Sequence, residues 1–298
     1  MRGEFALPLR CIWWQRKGSG VAEKIDAHHH LWRYTLEEFG WLDDSMGALR
    51  RDFLPQDLLH ELTAAGIDGT VAVQARQTLE ETRWLLQLAD GCSAIRGVVG
   101  WAPICGKEFS SVMEEFAGQP KLKGLRHVIQ AEPDENFILR EDFNAGIRSL
   151  QGRGLVYDIL IFERHLPQAI RFVDAHPQQS FVLDHVAKPK IADGEIEPWA
   201  GSIRELAKRE NVSCKISGMV TEAKWDSWSA ETLRPYLDVV IEAFGPKRLM
   251  AGSDWPVCLV ACEYGRWFRL LRDYFQDFSA GEQARVFGET AIDVYGLK

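Results

Sequence analysis

The 298-residue chain contains no run approaching 18 consecutive apolar residues, so no transmembrane helix is expected. It also lacks a CxxC pair: six cysteines, at 11, 92, 105, 214, 258 and 262, stand apart from one another. Scattered thiols in a chain of this length argue against a disulfide framework, and they suit reduced core cysteines in a cytoplasmic protein. Positive charge is in deficit, with 35 Lys and Arg against 43 Asp and Glu, a formal net charge of −8. That balance argues against nucleic acid or an anionic membrane as a partner. No GxGxxG follows the first strand-like run, so the dinucleotide fingerprint is missing too.

What remains is the composition of a soluble globular protein with a sizeable core, 46% hydrophobic and 26% charged. The opening stretch MRGEFALPLRCIWWQRKGSG is broken by Pro8 and Arg10, and no small-residue cleavage site follows it. Residues 1–23 are read as an appendage outside the core fold, and 24–298 as a single domain.

From residue 24 onward, short β-branched runs alternate with longer helical patterns. Strands are expected at 24–30, 69–74, 95–103, 122–128, 154–160, 180–186, 211–217 and 248–256. Helices are expected at 54–66, 78–90, 140–154, 166–177, 198–211 and 230–245, several ending at Gly or just before Pro. Eight strands alternating with helices predict an α/β fold, the (β/α)8 TIM barrel, since eight parallel strands close without leaving an edge. Such barrels build their active sites at the C-terminal ends of the strands. Polar and titratable residues crowd those ends here: His28 to His30, Gln74, Arg126 and His127, Asp158, Asp184 and His185, Lys215, and Asp254.

Period-two alternation puts Asp26, His28 and His30 of IDAHHHLW on one side of the first strand and His29 on the other. Two imidazoles one pleat apart can hold a single divalent ion. Barrel closure brings strand eight beside strand one, so Asp254 of AGSDWP should stand next to His28 and His30, able to ligate a metal or take a proton from water. His185 of FVLDHVAKP faces the same mouth, as metal ligand, electrostatic stabiliser or leaving-group donor. Asp158, among apolar neighbours, should pair with a cation such as Lys215 or a histidine, or hold a substrate hydroxyl. Of Arg126 and His127, alternation sends only one inward, and either could bind an oxygen-rich substrate. Lys215 suits a structural ion pair about as readily as a substrate contact. Trp32, Tyr34, Trp41, Trp225, Trp228 and Trp255 fall in loops after strands, where aromatics can pack on a sugar ring or cover the core. His60, His165 and His176 lie on helices or at their ends and read as surface residues.

IDAHHHLW, LDHVAKP and GSDWPV together resemble the strand-one HxH, strand-six His and strand-eight Asp of the amidohydrolase superfamily. LRHVIQAEPDENF (125–137) and CKISGMVTEAKW (214–225) resemble its sugar lactonase branch, the L-fuconolactonase and L-rhamnonolactonase type. The likeness spans roughly residues 24–298. It departs from the two-metal members, whose bridging Lys and strand-five His are replaced here by Arg126–His127 and Asp158, so one metal site is expected rather than two. The resemblance implies hydrolysis of a sugar lactone by water activated on a divalent ion, expected to be zinc, held by His28, His30 and Asp254. Asp254 would be general base and then acid, and His185 would assist as a catalytic group. Arg126, His127, Asp158, Lys215 and Trp32 would contact the substrate. The partner would be a small-molecule sugar lactone, with the protein a monomer or homo-oligomer. The alternatives are a metal-independent lactonase acting on a dicarboxylate lactone, which should need several mouth arginines, and a decarboxylase of the same superfamily.

Overall fold

The computed structural model describes residues 22–298, so all but the last two residues of the 1–23 segment lie outside it. Eight parallel strands form one sheet in sequence order: β1 (Ile25–His29), β2 (Gly69–Val73), β3 (Ile95–Gly100), β4 (Leu122–Val128), β5 (Val156–Leu160), β6 (Phe181–Leu183), β7 (Val212–Ile216) and β8 (Leu249–Ala251). The ends meet through a parallel bridge between His29 and Trp255, with the His30 N–H donating to the Trp255 carbonyl at 2.6 Å. The expected barrel is the fold. β3, β6 and β8 are shorter than expected, because the chain leaves the ladder early to build the functional loops.

The six expected helices are present as α1 (Pro55–Ala65), α2 (Leu79–Gly91), α4 (Glu141–Arg148), α5 (Leu166–Asp174), α6 (Trp199–Leu206) and α7 (Ala230–Phe244). The connection after β3 adds a short α3 (Phe109–Glu115). Beyond β8 come α8 (Tyr264–Tyr274), α9 (Ala280–Ala284) and α10 (Thr290–Tyr295), the last two joined by a π-helical turn. Local chemistry sets the boundaries. Pro55 opens α1, where its missing N–H costs nothing, and Gly66 closes it in the left-handed region. Thr78 caps α2 by accepting the Glu81 N–H. No helix among the described residues is long and apolar enough to cross a membrane.

Two apolar compartments result. The larger lies between sheet and helices. The smaller fills the barrel, where Ile25, Ala27, Val71, Val99, Val156 and Val182 meet. Ala291 and Tyr295 of α10, with Leu297, pack into this inner core beside residues that begin the strands. They plug the N-terminal end of the barrel, which leaves the opposite end for chemistry. Two histidines at the ends of α5 that were read as surface residues are in fact buried, His165 just before it and His176 just after it. His176 Nε2 meets Asn144 Oδ1 at 2.6 Å, and His165 Nδ1 accepts the Phe162 N–H. Both belong to the turns that bracket α5, whose burial a single polar residue cannot reveal.

Candidate active site

Simple alternation does not hold along β1. Its pairing with β2 steps from Asp26↔Thr70 to His29↔Ala72, so Ala27 and His28 together oppose Val71. The bulge resets the parity. Ile25 and Ala27 belong to the inner core, whereas Asp26 turns the other way and accepts from Ser253 Oγ at 2.6 Å and Tyr264 OH at 3.0 Å. The expectation that Asp26 shares a side with His28 and His30 is therefore corrected. His28 and His30 do converge, with Nε2 atoms 3.2 Å apart, and His29 points away to Thr70 Oγ1 at 3.0 Å. Burial pushes the Asp26 carboxyl up to about 6 despite its donors, and burial with His30 nearby pulls His29 down to about 3.

Asp254, just past β8, has φ 58° and anchors its N–H on the His28 carbonyl at 2.8 Å. Its Oδ1 lies 3.3 Å from His30 Nε2, 3.7 Å from His28 Nε2 and 3.8 Å from His185 Nε2. One carboxylate thus faces three imidazole nitrogens. Burial would raise its pKa, but His185 and His30 beside it hold it below the ordinary value, so it is ionised at neutral pH. Burial pulls His185 down to about 4, and burial with the Lys215 charge takes His28 well below its usual range. Both rings are therefore neutral, each with one ring nitrogen able to act as a ligand, and Arg126 Nη1 stands 3.3 Å from the Nε2 of His28. Gly252 permits this closeness, since a Cβ there would stand 2.9 Å from the His28 Cβ.

Those donors suit a divalent ion. His28, His30 and Asp254 offer ligand atoms spaced 3.2, 3.3 and 3.7 Å apart. Bonds of about 2.0–2.1 Å in a tetrahedral site imply ligand separations of roughly 3.3 Å. The second contact of His30 also fits: Nδ1 meets the Val73 carbonyl at 2.8 Å, which keeps the proton there and aims the Nε2 lone pair at the site. His28, Asp184 and His185 form an overlapping second group.

Beneath lies a layer of buried charge. Lys215 Nζ sits 2.6 Å from Asp158 Oδ2, 3.0 Å from Asp184 Oδ1 and 3.2 Å from His28 Nδ1. Arg126 Nη1 donates to Asp184 Oδ2 at 2.9 Å. Tyr295 OH reaches up from α10 to Asp158, 2.9 and 2.8 Å from its two oxygens. Burial pushes Asp158 up to about 6, against the pull of Lys215. Asp184, surrounded by Lys215, His28 and Arg126, stays well below the carboxylate range although burial opposes it.

A cavity of about 310 Å³ opens above the histidines. Its polar wall is His30, Arg126, Gln130, His185, Lys188 and Asp254, and Trp32, Trp41, Ala75, Leu160 and Val257 face them. Trp32 is buried, held by its indole N–H on the Arg51 carbonyl, whereas Trp41 is 48% exposed at the rim.

Three expected substrate contacts need correction. Asp158 and Lys215 are fully buried, absent from the cavity wall and saturated by each other and their neighbours. The sequence pattern reports the face of a strand but not the depth along it, and these two lie a layer too deep. His127 is the outward member of its pair, stacked 4.9 Å from the Phe137 ring with Nε2 2.6 Å from Glu132 Oε1. Arg126 is the inward one. Asp184, expected at the end of strand six, sits beneath the cavity against Lys215 and Arg126, whereas Gln130 and Lys188 line the cavity wall without having been singled out in the sequence. The signal for Asp184 was its place at a strand end beside His185. The other two are ordinary loop residues by sequence.

With this geometry in view, the family model described as Amidohydrolase matches residues 25–297. The L-fucono-1,5-lactonase of Burkholderia multivorans is 41% identical over 288 residues, covering 93% of this chain and 97% of that relative. The L-fucono-1,5-lactonase of Burkholderia ambifaria is 36% identical, covering 92% of this chain and 96% of its own length. A crystal structure of an amidohydrolase from Burkholderia multivorans with bound zinc superposes with a TM-score of 0.90 at 39% identity, covering 93% of this chain and all of that one.

Proposed function

The chain belongs to the amidohydrolase family, and from that premise we propose that it hydrolyses a sugar lactone of the L-fucono-1,5-lactone class to the aldonic acid. The observation that carries the reading is the ionised Asp254 carboxylate set among three imidazoles on the floor of a sugar-sized cavity. The two lactonase relatives match this chain over almost its whole length. His28, His30 and Asp254 would hold one divalent ion, assigned as zinc, whose chemistry when bound is to acidify water and polarise a carbonyl.

The chain's own groups then divide the work. Asp254 accepts one proton from the attacking water as its oxygen adds to the lactone carbonyl carbon. Arg126 and His185 line the same wall and stabilise the negative charge that develops on the carbonyl oxygen. As the tetrahedral carbon collapses, the ester bond to the ring oxygen breaks and Asp254 returns its proton to that oxygen. The new acid loses its remaining proton to solvent and leaves as the carboxylate. Trp32 and Trp41 offer an apolar surface for the carbon skeleton of the sugar.

A neutral substrate fits better than a dicarboxylate lactone. Among the described residues Arg126 is the one arginine on the cavity wall, and the neighbouring Arg76 is drawn off to Glu38 and Glu81. Cys105, Cys214, Cys258 and Cys262 are free thiols, which suits a cytoplasmic enzyme of carbohydrate metabolism. The test is a panel of aldonolactones followed by pH indicator, together with metal analysis of the purified protein. We expect rapid opening of an L-fuconolactone, stoichiometric zinc, and loss of activity on chelation that added zinc restores. No hydrolysis above background would sink the substrate assignment, and full activity without metal would sink the metal-assisted route.

A further inference from the structure

The segment after β6 is strained. His185, Val186, Ala187 and Lys188 have φ of 52°, 49°, 59° and 49°, four consecutive non-glycine residues in the left-handed region. Residues that carry a Cβ are disfavoured there, so the turn must be held in place by its surroundings. Val186 and Ala187 are fully buried, and the Val186 carbonyl accepts the Trp199 indole N–H at 2.8 Å. The Lys188 N–H closes the turn on the His185 carbonyl at 2.8 Å. In a three-residue turn, positions three apart share a face. The strain therefore sends His185 and Lys188 to the same cavity, although only His185 is needed beside Asp254.

Lys188 is poorly used by the protein itself. Its side chain is only 19% exposed, and its nearest carboxylate, Glu222 Oε1, is 3.8 Å away, too far for a hydrogen bond. The ammonium sits 5.6 Å from the Phe162 ring centre, which supplies no acceptor oxygen. In the same cavity, just beyond β4, Gln130 shows the complementary defect. Its Oε1 is buried without a hydrogen-bond partner, an unfavourable state for a polar atom. A turn about the last side-chain torsion presents either end of this amide to the cavity. An ammonium held only by a long ion pair to Glu222 and an amide oxygen without a donor thus line one polar wall.

We propose that Lys188 and Gln130 form a polyol-reading wall that determines specificity: Lys188 Nζ donates to a ring hydroxyl oxygen of the substrate and the Gln130 amide pairs with another hydroxyl. The assignment rests on the lactonase reading above and adds to it the groups that separate a hydroxylated lactone from a bare one. A site built around such pairs discriminates strongly, because an analogue without hydroxyls leaves them unsatisfied.

The experiment compares the metal-loaded wild type with Lys188→Met, Lys188→Arg and Gln130→Leu on L-fucono-1,5-lactone and on δ-valerolactone, which has no hydroxyls. It also measures calorimetric binding of L-fucono-1,5-lactam, a ring that the enzyme cannot open by ester hydrolysis. Lys188→Met and Gln130→Leu should raise KM for the sugar lactone about tenfold to hundredfold with little change in kcat. Their effect on δ-valerolactone should be at least about tenfold smaller, and Lys188→Arg should recover part of the loss. The lactam Kd should rise by the same factor as KM. Equal losses on both lactones, a fall in kcat alone, or an unchanged lactam Kd would overturn the assignment. If the wild type opens neither lactone, the lactonase reading fails. The lactam titration then decides the wall separately, since binding that weakens in the two variants supports it and absent or unaltered binding refutes it.

Discussion

At the residue scale the site depends on charges that have no access to water. Lys215 holds two carboxylates and a histidine in a fully buried position. Removing one partner of such a network leaves the rest uncompensated, at a cost of about 3–5 kcal/mol. Lys215→Met should therefore lower stability by that order in urea unfolding, and adding Asp158→Asn should recover part of it. Additive losses would show that the two groups do not interact. Asp254→Asn addresses chemistry instead: kcat should fall by about a thousandfold or more with the melting temperature nearly unchanged, and near-normal turnover would remove Asp254 from proton transfer. Glu81 gives a pH signature. It is buried at the start of α2, accepting the N–H groups of Ala75 and Arg76, and burial raises its pKa to about 7. The folded protein then holds a proton that the unfolded chain has released, so stability falls as pH rises from about 4.5 to about 7, by up to about 3 kcal/mol. Glu81→Gln should flatten that part of the stability–pH curve, measured by urea unfolding at pH 5 and pH 8. An unaltered slope would place the titration elsewhere.

At the scale of elements, the alternation of apolar runs with helical patterns made the number, order and starts of the strands legible, while the early ends of β3, β6 and β8 were not. Periodicity could not show a bulge, so the inward pair His28 and His30 was found by a rule that β1 breaks between Asp26 and His29. The left-handed turn at 185–188 was equally hidden. Nothing in HVAK announces positive φ, because the conformation is imposed by Trp199 and by burial rather than by glycine. Where glycine does act is opposite that turn. Gly218 has φ 64°, and a Cβ there would lie 2.6 Å from His185 Nδ1. Gly218→Ala should push the imidazole off Ser217 Oγ, its 2.9 Å partner, and reduce kcat by about tenfold or more alongside a loss of stability near 1 kcal/mol or above. Steady-state rates and thermal melts on one preparation check both parts.

At the scale of the molecule, barrel closure is what joins Asp254 to a histidine pair more than 200 positions earlier, and that relation was readable once eight strands had been counted. Depth was not. Asp158 and Lys215 stand at strand positions that look like a mouth in one dimension and prove to be its foundation in three. The contribution of Tyr295 could not be anticipated at all, because its hydroxyl comes through the opposite end of the barrel to a carboxylate 137 positions earlier. That link bears on how the protein is made. A ribosome delivers Asp158, Asp184 and Lys215 well before Tyr295, so the growing chain must keep a half-satisfied cluster of charge wet and open until α10 arrives to seal it. Catalytic competence should therefore be an all-or-nothing property of synthesis, withheld from every nascent chain that stops short of residue 295.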